Sequence, residues 1–173
     1  MATENKPEVW LRGPLPEIPP LLQPAAHALL QAQEEVNALM NDFPDKLLWE
    51  KPANMASVGF HLQHLRGVLD RLLTYAENKV LTEEQLDYLQ AEGKPAAEIT
   101  TTELLTAFNK EIEKALHQFK HTNEISLTEY RAVGRGKLPS TQIGLLFHAA
   151  EHTMRHLGQL LVTVQVIKSL MKS

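Results

Sequence analysis

Three histidines, His148, His152 and His156, recur at intervals of four near the end of the chain. They lie in a long apolar segment that has no proline after Pro139. On an α-helix this spacing puts the three rings on one face, about one 5.4 Å turn apart. Gln159 continues the face three residues later. A stripe of imidazoles is unusual in a plain core, because every buried ring must satisfy two nitrogens. A divalent metal meets that demand, since neutral imidazole ligates zinc, nickel, copper and iron. The same rings also read as pocket or surface histidines that bind nothing. Two histidines at i, i+4 leave the matter about even, and a third, distant one is needed to tilt it towards a metal.

That third ligand must come from another helix, so the elements that position it matter. The chain opens with an irregular arm over residues 1–23, where Pro7, Pro14, Pro16, Pro19 and Pro20 exclude regular helix. Trp10, Leu11, Leu15, Ile18, Leu21 and Leu22 make this arm sticky, and it is expected to pack on the body. A first helix follows from about Pro24 to Met40, with a stripe of Leu29, Ala32, Val36 and Leu39. A second runs from about Met55 to Lys79, and Val58, His61, Leu65, Leu69 and Leu72 share its broad apolar face. On a helical wheel His61 sits near the middle of that face and His64 at its edge, while Arg66, Asp70 and Arg71 fall on the flank or outside.

Two capping boxes then open helices. Thr82 to Gln85 starts a short one that ends before Gly93, and Thr100 to Glu103 starts a third long one. His117 and His121 close the latter, where a helix dipole favours a cation. Residues 122–139 read as a loop with an extended piece at 126–130. Arg131, Arg135 and Lys137 give it a basic cluster, read as a solvated loop or as an anion clamp. Ser140 is the expected N-cap of the last helix. Four long helices and no convincing strand predict one all-α domain, a four-helix bundle over residues 24–173. Such bundles build metal sites from facing helices. His152 and His156 with one histidine of the second helix would make a three-His site, which leaves coordination positions open as catalytic sites do.

Composition narrows the function. The chain has 173 residues, 43% of them hydrophobic and 22% charged, which indicates a globular domain. It has no cysteine, so a thiol taking part in chemistry must arrive with a substrate. The net charge of −4 argues against a nucleic-acid partner. The first ten residues lack an apolar signal core, and the longest uncharged apolar run, Leu157 to Ile167, is too short to span a bilayer. The expectation is a cytoplasmic protein with a small-molecule substrate and no membrane partner.

Two stretches carry a family resemblance. Ser57-Val58-Gly59-Phe60-His61-Leu62-Gln63-His64-Leu65, and His148 through Gln159, resemble the signature regions of the damage-inducible DinB-like (YfiT-like) metal-binding superfamily. The helix order matches as well. The resemblance implies a DinB-type four-helix bundle with one metal ligand from the second helix and a His-x-x-x-His pair from the last. By that pattern the ligands are His64, His152 and His156, and the ion is zinc or nickel. Members often have Arg directly after the last histidine, where this chain has Leu157. His61 and His148 remain possible substitutes or pocket groups. The resemblance further implies a metal-dependent transferase using a low-molecular-weight thiol such as bacillithiol, mycothiol or glutathione, or else a hydrolase. The alternative is a non-catalytic metal-binding or interaction protein on the same bundle. No residue is assigned a catalytic role, and helical phase turns Glu151 away from the stripe.

The last helix is apolar on a second side too, through Leu146, Ala150, Leu157, Leu161 and Val164. Something must cover that stripe. The sequence reading favours a homodimer over the short arm.

Overall fold

The computed structural model describes residues 6–96 and 98–171. Four long helices form its body: α1 (Gln23–Met40), α2 (Val58–Ala76), α4 (Thr101–Lys120) and α5 (Gln142–Leu170). A short α3 (Glu83–Ala91) joins α2 to α4, and a two-stranded hairpin, β1 (Tyr130–Val133) and β2 (Leu138–Thr141), joins α4 to α5. Single 3-10 turns fill several connections. None of the described helices is long and apolar enough to cross a membrane.

Local chemistry sets the helix ends. Thr82 and Gln85, and Thr100 and Glu103, form reciprocal capping boxes. The Ser57 hydroxyl accepts from the Phe60 amide at 3.1 Å, so α2 starts at Val58 rather than near Met55. Thr141, not Ser140, caps α5, accepting from the Gly144 amide at 3.1 Å. Both residues are paired in the hairpin, Ser140 with Arg131 and Thr141 with Tyr130, and the strand runs through Thr141, so the helix begins at Gln142 and the residue just before it takes the cap. The expected extended piece therefore lies a few residues later in the chain and is a paired strand.

The helices close into a ring in which α2 and α1 each pack against both α5 and α4. Phe108, Ile112 and Phe119 of α4 meet Leu62, Leu65 and Leu69 of α2 and Leu29 of α1 in one continuous core. A helix with two helical neighbours needs two apolar sides, and this explains the second stripe of α5. Leu146, Ala150, Leu157 and Val164 are all buried within the single chain, and only Leu161, 43% exposed, reaches solvent. The stripe behind the expected homodimer is thus covered, except at Leu161, within one chain.

The N-terminal arm lies along α1. Val9, Ile18 and Leu22 are buried, whereas Trp10, Leu11 and Leu21 are exposed. Arg12 pairs with Glu34 through both guanidinium nitrogens, at 2.5 and 2.8 Å. His27 Nε2 stands 3.1 Å from the Gly13 carbonyl.

The flank of α2 departs most from its sequence reading. Arg71 is 8% exposed and Asp70 9%. The reason is α3, which folds back over this side of α2: Gln85 donates to the Asp70 carboxylate at 2.8 Å, and the Tyr88 ring lies 4.1 Å from the Arg66 guanidinium. Arg131 is also buried. Its Nε donates to the Ala76 carbonyl at 2.8 Å, capping α2, so only Arg135 and Lys137 stay free in the basic loop.

Candidate metal centre

Three imidazoles converge where α2 faces α5. His64 comes from α2, and His152 and His156 come from successive turns of α5. One ring nitrogen from each lies within 4.8 Å of the others. His64 Nε2 and His152 Nε2 are 3.0 Å apart. The His156 ring centre is 4.3 Å from that of His64 and 4.6 Å from that of His152. Two nitrogens bound to one tetrahedral zinc at about 2.0–2.1 Å stand roughly 3.3 Å apart, so this spacing fits a shared cation. The donors are also in the right state. Burial, followed by the neighbouring His64, pushes both His152 and His156 down to about 4, so both rings are neutral at pH 7 with a lone pair to give.

His64 is held from behind. Its Nδ1 donates to Glu92 Oε2 at 2.7 Å, which directs the lone pair of Nε2 at the other two rings. The second carboxylate oxygen of Glu92 accepts from Arg71 Nη1 at 2.6 Å. Burial alone would raise the Glu92 pKa. The hydrogen bonds from His64 and Arg71 outweigh it and hold the group below the usual carboxylate range. A carboxylate behind a ligating histidine fixes its tautomer and strengthens it as a donor.

Glu92 lies just past α3, and two hydrogen bonds and the space left by a glycine fix it there. The Gly93 amide donates to Gln63 Oε1 at 2.7 Å, and Tyr88 Oη donates to the Gln63 carbonyl at 3.2 Å. Gly67 leaves the room that Glu92 fills. A Cβ at that position would overlap Glu92 Oε1 and stand 2.8 Å from Arg71 Nη1 and from the Tyr88 ring. On the other side, Phe60 stacks on His64 with ring centres 5.3 Å apart and planes 13° from parallel.

The other two candidate histidines stand differently. His61 is 2% exposed, and its Nδ1 is 3.3 Å from His156 Nδ1. A hydrogen bond between these two nitrogens leaves Nε2 of His156 free to act as a ligand atom. Burial, then His64, pushes His61 to about 4 as well. His148 is exposed at the rim, its ring 5.2 Å from that of His152. Its Nδ1 lies 3.2 Å from Glu151, which also pairs with Arg155. His148, Glu151 and His152 form a second group whose donor atoms lie within 4.8 Å of one another. Glu151 thus stands beside the histidines rather than away from them, though its carboxylate is already engaged. His117 and His121 stay apart, at the C-terminus of α4, where His121 Nδ1 donates to the His117 carbonyl at 2.7 Å.

Glu92 and Arg71 were not visible in the sequence pattern. Two signals pointed their way: an unexplained glycine inside α2, and a Glu-Gly pair closing a helix that begins with a capping box.

Comparison with known proteins agrees with the architecture. A search of curated proteins finds no match. Among solved structures, a crystal structure of a protein from Streptococcus pneumoniae, a structural-genomics target, superposes with a TM-score of 0.63 at 15% identity, over 84% of this chain and 88% of that one. At that identity the likeness concerns the fold alone. The family model of the DinB superfamily matches residues 28–160, a span that contains α2, α3, α4 and all three converging histidines. The chain belongs to the DinB superfamily.

Proposed function

We propose that His64, His152 and His156 bind one divalent cation, zinc or nickel, and that the protein is a metal-dependent enzyme acting with a low-molecular-weight thiol or with water. The observation that carries this reading is the convergence of three imidazoles, one of them oriented by a buried carboxylate. Three protein ligands leave coordination positions open, as in catalytic rather than structural sites. A cation held there lowers the pKa of a thiol or water that joins it, giving a nucleophile at neutral pH.

The chain's own groups set the rest. Glu92 and Arg71 keep His64 aimed. Phe60 and the buried His61 wall the site off from water on two sides. Glu151 and Arg155, paired at the rim, put opposite charges beside the entrance without leaving either free. The chain has no cysteine, so a thiol nucleophile would come from a cosubstrate such as bacillithiol, mycothiol or glutathione. The cytoplasm, where such thiols stay reduced, is the fitting compartment.

A non-catalytic metal-binding role is the second reading, and the placement of His148 favours it. Were His148 to swing in beside His152 as a fourth ligand, the shell would close. Metal analysis of wild type, His152→Ala and His148→Ala, together with thiol transfer to 1-chloro-2,4-dinitrobenzene and hydrolysis of p-nitrophenyl acetate before and after chelation, decides between them. The enzymatic reading expects one cation per chain, lost in His152→Ala and kept in His148→Ala, with turnover that disappears on chelation. Metal retained in His152→Ala would overturn the ligand set. Loaded protein inert in both assays would favour the binding role.

A further inference from the structure

Beside the three histidines runs a groove of about 540 Å³ between α5 and the segment leading into α2. Its walls are mostly aliphatic: Met55 and Ala56 on one side, Val162 and Val166 on the other. Gly158 and Gln159, in the turn that follows His156 of α5, also line it, as do Arg155 and His61. His61 lies between groove and cluster, because its Nδ1 is 3.3 Å from that of His156. The groove therefore adjoins the candidate metal centre, with the His61 side chain between it and a ligand. Its volume falls within the range of small-molecule sites, roughly 300–1,000 Å³.

Gly158 adds an independent observation. It lies inside a 29-residue helix, where glycine is about 1 kcal/mol less favourable than alanine. Close packing usually explains such a glycine, as it does for Gly67. Here, apart from its chain neighbours and the backbone of its own helix turns, nothing lies within 4 Å of the Cβ that the residue lacks. The missing side chain leaves open volume in the groove and relieves no contact. Opposite it, Ala53 and Asn54 both take left-handed backbone (φ 50° and 60°), and the following Met55 is left largely exposed over the groove. The one formal charge lining the groove, Arg155, is already paired with Glu151.

We infer that this groove holds the apolar, uncharged body of the substrate, with its reactive end directed past His61 to the three histidines. Only the placement of that reactive end rests on the metal-centre reading. The occupant is a neutral small molecule with an alkyl or aryl portion several carbons long. A charged body is disfavoured, because aliphatic walls would strip its water and return no partner.

The test uses ω-mercaptoalcohols from 3-mercapto-1-propanol to 8-mercapto-1-octanol, titrated into metal-free and cobalt-loaded full-length protein. Wild type, Gly158→Leu and Val166→Asp are compared. On metal-free wild type, affinity should rise about two- to four-fold with each added methylene, as apolar burial requires. Gly158→Leu fills the groove from an exposed helix position and should flatten that series while the cobalt content stays the same. Val166→Asp should weaken the long members most. A flat series on wild type, or a gradient that survives both substitutions, overturns the inference. The cobalt arm keeps the two readings apart. A chain-length gradient without a thiolate-to-cobalt charge-transfer band supports the groove and refutes thiol ligation at the histidines. A band that is insensitive to chain length does the reverse.

Discussion

Replacing Glu92 tests how the candidate centre is built. Its carboxylate, 4% exposed, accepts from His64 at 2.7 Å and from Arg71 at 2.6 Å. In Glu92→Ala the His64 ring loses the hydrogen bond that fixes its tautomer, and Nε2 no longer presents a lone pair by default. Removing such a partner typically weakens metal binding about 10- to 100-fold, equivalent to roughly 1.4–2.7 kcal/mol. Arg71 is left buried without its carboxylate, which should cost about 1–3 kcal/mol of folding stability even in metal-free protein. Glu92→Gln separates the two effects. Its amide oxygen can still accept from His64, but it no longer offsets the Arg71 charge. The stability loss should therefore persist while the loss of metal affinity shrinks. Gly67→Ala reaches the same contact from outside, since its new methyl overlaps Glu92 Oε1 and must push that side chain off His64. Competition with a chromophoric chelator measures the affinity, and urea denaturation of chelated protein measures the stability. If Glu92→Ala and Gly67→Ala both bind cobalt as tightly as wild type, the carboxylate does not position His64 and the reasoning fails.

Further outcomes follow from the same geometry. His61, His152 and His156 are held near 4 against an ordinary 6.5, so the unfolded chain takes up protons below pH 6.5 that the folded one refuses. Stability of metal-free protein should therefore be full above pH 6.5 and fall steadily as pH drops towards 4. Thermal melts between pH 6.5 and 5, above the usual carboxylate range, isolate this effect, and a flat profile there would contradict it. Leu157 is buried between helices of one chain, so Leu157→Glu should destabilise the fold by several kcal/mol rather than dissociate a dimer. Light scattering should give a mass near 19.5 kDa for wild type; a stable mass of twice that would show that another surface associates. Lys114 bridges the buried carboxylates of Asp70 and Glu111. Burial tends to raise both carboxylates, and the hydrogen bond from Lys114 helps to reverse this for Asp70 only. Lys114→Met should thus lower stability by about 1–3 kcal/mol at pH 7 and less at pH 4, where the stranded carboxylates can protonate. An unchanged denaturation midpoint at pH 7 would exclude that role.

The sequence alone determined whatever depends on neighbours three or four residues apart. The stripe from His148 to His156, both capping boxes and the core faces of α1, α2 and α4 are local, because hydrogen bonding and side-chain direction in a helix repeat with a fixed period. The pairing of α2 with α5 at His64 also became legible once the family pattern was matched. Tertiary structure decided the features that depend on which surfaces meet. Arg71 and Asp70 lie on a flank that a helical wheel marks as solvated, but α3 folds over it and turns both into buried partners. Glu92 stands 28 residues from His64, and no periodicity links them. The cap lies at Thr141 rather than Ser140 because the strand that pairs across the hairpin runs one residue further, through Thr141, before the helix begins. The second apolar side of α5 was plain in the sequence, but its cover was not. Burial on a helix is set by how many neighbours pack around it, and the helical period carries no record of that number.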